Sequence, residues 1–326
     1  MAKTYTFQEP IAAEMKAFEG AFKQAFSTRV ALLNIVLRYV VRQKGKRLRP
    51  MLVYLVAQAL GEGQSNERSE RAAVLVELMH TATLVHDDVV DEAPTRRGAF
   101  SIQALWQKKV AVLVGDYMLS RVLLLAVEHE DYDLLRHVSK AVQAMSEGEL
   151  LQIEKARRLD INEEVYNDVI RQKTASLMAA CCAVGAASVD TTSERVEEAR
   201  AFGEYLGMAF QIQDDILDYS AFAKTGKPTG IDVREQKMTL PLIYALQQAS
   251  PSEKKEMMRI VRHKQNDPES VEKLMRQVVA MGGIENAQRT MKIWQDKASS
   301  ILEKWPESAA RKALSELLTY IVQRAK

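Results

Sequence analysis

Apolar side chains recur three and four positions apart along almost all of the chain, and strict apolar–polar alternation is nearly absent. That period places each apolar set on one face of an α-helix, so the pattern predicts an all-α protein of about a dozen helices. The expected helices cover residues 8–25, 28–42, 49–61, 66–91, 101–129, 131–156, 163–186, 192–220, 238–248, 251–265, 268–281, 284–304 and 307–324. Start and stop signals agree with these bounds. Ser250-Pro251-Ser252-Glu253 reads as a capping box with proline at the first helical position, Asp267-Pro268 repeats the N-cap and proline pattern, and Gly282-Gly283 ends the helix begun there. Pro94 closes the apolar helix through 70–91, and Trp305-Pro306 parts the last two helices. No low-complexity linker or shift in composition divides the chain, so residues 1–326 read as one helical domain. The longest stretch expected to lack helix is 221–237, rich in Gly, Lys and Asp; ordered loops of that kind are often functional.

Composition narrows the function classes. Hydrophobic residues make up 47% of the 326, enough for a large core. The 45 basic and 43 acidic residues nearly cancel, which argues against a nucleic-acid partner and for small, locally bound polyanions. Met1–Phe7 lacks the pattern of a secretory signal, and no run approaches the roughly 18 apolar residues of a membrane span, so a cytoplasmic protein without a transmembrane segment is expected. The two cysteines, Cys181 and Cys182, are adjacent in Ala-Ala-Cys-Cys-Ala-Val and read as small core residues, not a metal or redox pair.

Two acidic clusters stand out. In Asp87-Asp88-Val-Val-Asp91 the first and last carboxylates are four residues apart on one helix face, and Asp88 and Asp91 are three apart. Three carboxylates on one turn repel each other, and a divalent cation would offset that. Alone, the cluster is also readable as a solvated acidic helix end. The same spacing with the same apolar filling recurs in Asp214-Asp215-Ile-Leu-Asp218, on a second apolar helix. Repetition favours two carboxylate sets facing each other across a cavity and suits Mg²⁺, which takes one or two carboxylates together with substrate phosphates. Basic residues flank both clusters: Gly45-Lys46-Arg47-Leu48-Arg49-Pro50 before the first, Arg96-Arg97-Gly98 just after it, and Lys227 and Lys237 around the loop after the second. Lys and Arg are the natural partners of phosphate. The rival reading of His86-Asp87 as the metal pair of a helical phosphohydrolase needs a histidine upstream of 80, and there is none; His80 and His86, six apart, do not share a helix face. His80 is seven residues before Asp87 and is positioned to face the same cavity.

Taken in order, these motifs resemble the trans-isoprenyl diphosphate synthases (polyprenyl synthetases), and among them the medium- and long-chain polyprenyl diphosphate synthases. The resemblance runs from Gly45 to Pro241. It rests on Gly-Lys-Arg-x-Arg-Pro, His80, the first Asp cluster, Arg-Arg-Gly, Gly115-Asp116, Lys173-Thr174, Phe210-Gln-x-x-Asp-Asp-x-x-Asp, Gly226-Lys227 and Lys237-Met-Thr-Leu-Pro241. It implies a bundle of helices around a deep cavity, generally a homodimer, and a reaction joining isopentenyl diphosphate to an allylic diphosphate. It assigns Lys46, Arg49, His80 and Arg97 to isopentenyl diphosphate, and Arg96, Lys173, Thr174, Gln211, Lys227 and Lys237 to the allylic diphosphate. Asp87, Asp91 and Asp214 become direct magnesium ligands, with Asp88, Asp215 and Asp218 supporting, and three ions when substrate is bound. Two departures fall in loops: Lys44 stands where the family usually has glycine, and Gln236 where it often has glycine.

The chain should therefore be a Mg²⁺-dependent prenyltransferase. The small residues Ala82 and Thr83, one turn before Asp87, and Met79, two turns before it, leave room for a growing tail. A product longer than farnesyl, in the C25–C40 range, is expected, with geranylgeranyl the shorter alternative. A non-catalytic partner subunit would be expected to lose one cluster or its basic companions. A terpene cyclase would not need the Lys46, Arg49, His80 and Arg97 set.

Overall fold

The computed structural model describes residues 6–26, 28–43, 45–96, 98–158, 161–225 and 230–324. A 3-10 turn, Thr6–Ile11, leads into α1 (Ala12–Gln24), α2 (Ala31–Arg42), α3 (Leu48–Leu60) and α4 (Glu67–Val90). A short antiparallel hairpin follows, β1 (Thr95–Arg96) against β2 (Ala99–Phe100). Then come α5 (Ile102–Glu128), α6 (Tyr132–Arg158), α7 (Glu163–Ile170), a π turn at Arg171–Ala175, α8 (Ser176–Ala187) and α9 (Ser193–Thr225). The chain ends with α10 (Ile231–Arg234), α11 (Leu240–Gln248), α12 (Pro251–His263), α13 (Pro268–Ala280), α14 (Gly283–Leu302) and α15 (Ala309–Gln323). The all-α expectation holds, and the helix bounds agree within a few residues.

Capping accounts for several of those bounds. Ser250 accepts from the Glu253 N–H while the Glu253 carboxylate accepts from the Ser250 N–H at 2.9 Å. Asp267 accepts from Ser270 N–H, and Asn66 opens α4 by accepting from Ser69 N–H at 2.9 Å. Each such cap satisfies donors that the first turn leaves without partners, worth about 1 kcal/mol.

The chain divides into two compact units. One comprises Met1–Ala141, Leu177–Arg200 and Leu302–Glu316; the other comprises Val142–Ser176, Ala201–Ile301 and Leu317–Lys326. In the first unit α3 and α8 are buried on every side, as their uninterrupted apolar sequences require. Cys181 and Cys182 lie inside α8, fully buried. A second apolar cluster joins Val36, Leu37 and Val40 of α2, Ala82 and Val85 of α4, and Ala111, Val114 and Met118 of α5. The second unit packs around α9, whose Met208, Ile212, Ile216 and Tyr219 meet apolar residues of α7 and α11–α14.

Four features differ from expectation. The hairpin was not foreseen, since two-residue strands leave no periodic trace. The helix expected over 163–186 is interrupted by the π turn. Helix persists in the stretch 221–237, where α9 runs on to Thr225 and α10 forms. Helix α5 is long and apolar enough, by length and composition, to cross a membrane, with mean hydropathy 1.9 over its most apolar window. Within residues 110–127 only Asp116 and Arg121 are charged, too few to lower that mean. One stripe of α5 (Ala111, Val114, Met118, Val122, Ala126) is buried, while Leu113, Leu123, Leu124 and Val127 are exposed.

Candidate active site

In the first unit, the acidic cluster occupies the C-terminal turn of α4. Asp91 is the C-cap, its N–H donating to Asp87 O at 2.8 Å, and no basic residue lies in that last turn. Carboxylates there face the negative end of the helix dipole, an arrangement that costs stability and that a cation would relieve. The three side chains differ. Asp87 is half-buried and Asp91 exposed, whereas Asp88 is 5% exposed and turned inward. Arg96 of β1 donates from Nε to Asp88 Oδ1, and Gln103 donates to the Asp88 carbonyl and, at 3.0 Å, to that of Ala93. Burial raises the Asp88 carboxyl above the ordinary carboxylate range, with Arg96 opposing it.

Upstream on α4, His80 is buried and its Nε2 meets Arg49 NH1 at 2.9 Å. A guanidinium only donates, so Nε2 accepts and the ring proton sits on Nδ1. Arg49 and His80, two of the four residues expected at isopentenyl diphosphate, thus meet, and Lys46 is exposed on the turn before α3. Arg97 lies outside the described residues. Arg47, which sequence reading passed over as one more basic residue, is structural. Its backbone is left-handed (φ 51°), its guanidinium pairs with the buried Glu77, and it stands 4.9 Å from the Phe22 ring centre. Leaving Glu77 without that cation would strand a buried charge. A narrow cleft of about 30 Å³ is lined here by Arg47, His80, Asp88 and Arg96 on its polar side and by Leu84 and Val85 on its apolar side. Met79, Ala82 and Thr83 do not line it. Ala82 is fully buried in the α2–α4–α5 cluster, and Thr83 donates to His80 O at 2.8 Å.

The Gly115-Asp116 motif finds its reason at His86. A Cβ at position 115 would stand 2.1 Å from His86 Nε2, so glycine leaves room there for the imidazole between α4 and α5. The imidazole lies 3.2 Å from Val112 O and 3.5 Å from Asp116 Oδ1. His86 thus braces the helix pair behind Asp87.

In the second unit, α9 presents the other cluster in mid-helix. Asp215 is 5% exposed and accepts from Tyr166 Oη at 2.7 Å and from Gln211 Nε2 at 2.9 Å. Thr174 in turn donates to Gln211 Oε1 at 2.9 Å, which fixes the orientation of that amide. Burial pushes the Asp215 carboxyl up to about 7, helped by the charges of Asp232 and Asp214 and opposed by the two hydrogen bonds. Asp218 is buried too. Asp214 points outward and accepts from Arg324 NH2 at 2.6 Å, and that guanidinium sits 4.0 Å over the Phe210 ring. Lys173 pairs with Glu149 of α6. Lys237 pairs with Glu235 and lies 4.0 Å from Asp232. Lys227 lies outside the described residues.

Tyr166 and Arg324 are additions to the residues read from sequence. Tyr166 precedes its partner by 49 positions and looks like one more core aromatic, and Arg324 lies near the end of the chain, so neither carries a local signal. Among the described residues, no group of three His, Cys, Asp or Glu side chains is arranged to hold an ion unaided. Accessible carboxylates such as the half-buried Asp87 and the exposed Asp91 fit a magnesium ion that completes its shell with water and substrate phosphate.

Comparison with known proteins decides the family. The polyprenyl synthetase family model matches residues 30–278. The chain belongs to the polyprenyl synthetase family. It is 36% identical over 318 residues to an octaprenyl diphosphate synthase of Escherichia coli, covering 97% of each chain. The structure of a decaprenyl diphosphate synthase from Rhodobacter capsulatus superposes with a TM-score of 0.92 at 34% identity, covering 98% of both chains. A polyprenyl synthase from Caulobacter crescentus, complexed with calcium and isoprenyl diphosphate, superposes at 0.89 with 32% identity and 98% coverage of both. As a polyprenyl synthetase, the chain is a prenyltransferase with the all-α fold of the isoprenoid synthases.

Proposed function

We propose that this polyprenyl synthetase condenses isopentenyl diphosphate with an allylic diphosphate to give a longer all-trans polyprenyl diphosphate in the C25–C40 range, releasing diphosphate. The observation that supports it best is a shared design in the two clusters. In each, the middle aspartate is buried and hydrogen-bonded inward, Asp88 by Arg96 and Asp215 by Tyr166 and Gln211, while the first aspartate stays accessible. Asp87, Asp91 and Asp214 are thereby left to hold magnesium, with Asp88, Asp215 and Asp218 fixing their helices.

Bound magnesium, three ions with substrate present, would draw charge onto the leaving diphosphate. The chain's own residues carry the rest. Lys173, Thr174, Gln211, Lys227, Lys237 and Arg96 hold the allylic diphosphate, and their fixed positive charge and dipoles favour breaking its allylic C–O bond. Lys46, Arg49, His80 and Arg97 hold isopentenyl diphosphate. The alkene of isopentenyl diphosphate supplies the electron pair of the new C–C bond, and transfer of a proton from the adduct to the released diphosphate restores the double bond. Apolar residues keep water from the cation. Neither compact unit is a continuous stretch of sequence, which supports a single functional domain over 1–326.

The product range follows the small side chains at Ala82 and Thr83 and has the octaprenyl name of the Escherichia coli relative at its upper end, with the decaprenyl name beyond it; geranylgeranyl is the shorter alternative. The exposed apolar face of α5 suits a second copy of the chain, so we propose a homodimer, working in the cytoplasm. A non-catalytic partner subunit is disfavoured because both clusters and their described basic companions are present. Incubating the purified protein with Mg²⁺, farnesyl diphosphate and labelled isopentenyl diphosphate, then sizing the products, tests the proposal. Failure to incorporate label would overturn it.

A further inference from the structure

We infer that Glu149 is a positioning residue for Lys173, setting where its ammonium stands before an allylic diphosphate arrives. The inference rests on the role proposed above for Lys173. The Glu149 carboxylate accepts from Lys173 Nζ through Oε2. Gln152, three residues on along α6, closes a ring: its Nε2 donates to Glu149 Oε1 at 3.4 Å, and its Oε1 accepts from Lys173 Nζ at 3.4 Å. The backbone is built for this meeting. A Cβ at Gly148 would lie 2.7 Å from Gln172 Cβ and 2.9 Å from Lys173 N, so the missing side chain lets α6 lie directly on the π turn. The π turn adds one residue to the helical repeat, and consecutive residues then serve different helices: Lys173 is directed to α6 and Thr174 to Gln211 of α9.

Neither member of the pair is sealed off. The Lys173 side chain is 35% exposed and that of Glu149 29%. A diphosphate oxygen can therefore reach the ammonium while the carboxylate still holds it from the other side. Lysine is a point charge on a flexible four-carbon stem, and one fixed beforehand loses less freedom when substrate binds. The carboxylate gives up some net positive charge in return for a defined position.

A double-mutant cycle tests this with the full-length enzyme, magnesium, farnesyl diphosphate and isopentenyl diphosphate. Glu149→Ala is expected to raise KM for farnesyl diphosphate roughly fivefold, the scale of a partly exposed ion pair plus lysine ordering, and to leave KM for isopentenyl diphosphate unchanged. Glu149→Gln, which keeps an acceptor for the ammonium, recovers part of the loss. In a Lys173→Met background, Glu149→Ala has no further effect on KM. Equal losses in both backgrounds, or a parallel rise in KM for both substrates, would overturn the positioning role while leaving Lys173 as a ligand. A Lys173→Met enzyme with unchanged KM for farnesyl diphosphate would remove Lys173 from the site, and the inference with it.

Discussion

The phenol of Tyr166 donates to Asp215 Oδ2 at 2.7 Å, across 49 positions of sequence and entirely out of solvent. Tyr166→Phe removes the donor and keeps the ring. It leaves a buried carboxylate oxygen unsatisfied, which costs about 1–3 kcal/mol. Asp215 then loses one of the two bonds that fix it behind Asp214, and magnesium affinity should fall roughly tenfold or more, as for other partners of metal-binding side chains. Thermal melting and the magnesium dependence of label incorporation measure the two effects. Unchanged values in both would remove Tyr166 from the site.

Asp87→Asn and Asp214→Asn should each lower kcat/KM by at least roughly 10²-fold, the scale seen when preorganised electrostatic stabilisation is removed. Their stabilities should diverge. Asp87 lies in the last turn of α4, against the negative end of the dipole, so its neutral replacement should raise metal-free stability by about 0.3–1 kcal/mol. Asp214 lies in mid-helix and pairs with Arg324, so Asp214→Asn gains nothing of the kind. Differential scanning calorimetry in chelator compares them.

Ala82→Tyr should shorten the product. Ala82 is fully exposed to neighbours of α2 and α5 and not to water, so the added ring also costs about 1–3 kcal/mol through overpacking. Products should therefore be sized below the variant's melting temperature. A folded variant that makes the parental product distribution would sink the assignment of Ala82 to the tail path.

Burial pushes the Cys181 thiol up to about 12 and also raises that of Cys182. The thiolate is the reactive form, so at pH 8 only about one Cys181 in 10⁴ is ionised. Raising pH toward that value increases the fraction, and lowering it does the opposite. In the native protein at pH 8, a disulfide reagent should titrate no thiol; in denaturant it should titrate both.

Leu113→Glu combined with Leu124→Glu places two charges on the exposed face of α5. Light scattering after size exclusion should report half the parental mass if that face covers a second copy. Retention of the parental mass would place the interface elsewhere.

Much of the fold is legible in the sequence because helices announce themselves locally. The Ser250 and Asp267 caps, and the apolar stripes of α12 and α13, can be read within a window of four to a dozen residues. The hairpin at 95–100 and the π turn at 171–175 cannot, since neither has a period of its own and both arise from what packs against them. The same division runs through the site. The Asp clusters follow from spacing, and Arg49 and His80 from resemblance, though not their contact with each other. Arg47 and Tyr166 do not, because their roles depend on Glu77 and Asp215, which are distant in sequence. The Gly115 and Gly148 requirements likewise belong to partners, His86 and the π turn, which only the folded chain supplies.

The π turn also constrains how this sequence can drift. Deleting any one residue within 171–175 would restore a regular α-helix and look harmless in isolation. The flanking helices would keep their faces, because the extra residue is what the wide turn absorbs, but Lys173 and Thr174 would lose the positions that meet Glu149 and Gln211. Substitutions should be tolerated here far better than gaps, so descendants of this chain should vary in the letters of that segment while keeping its length.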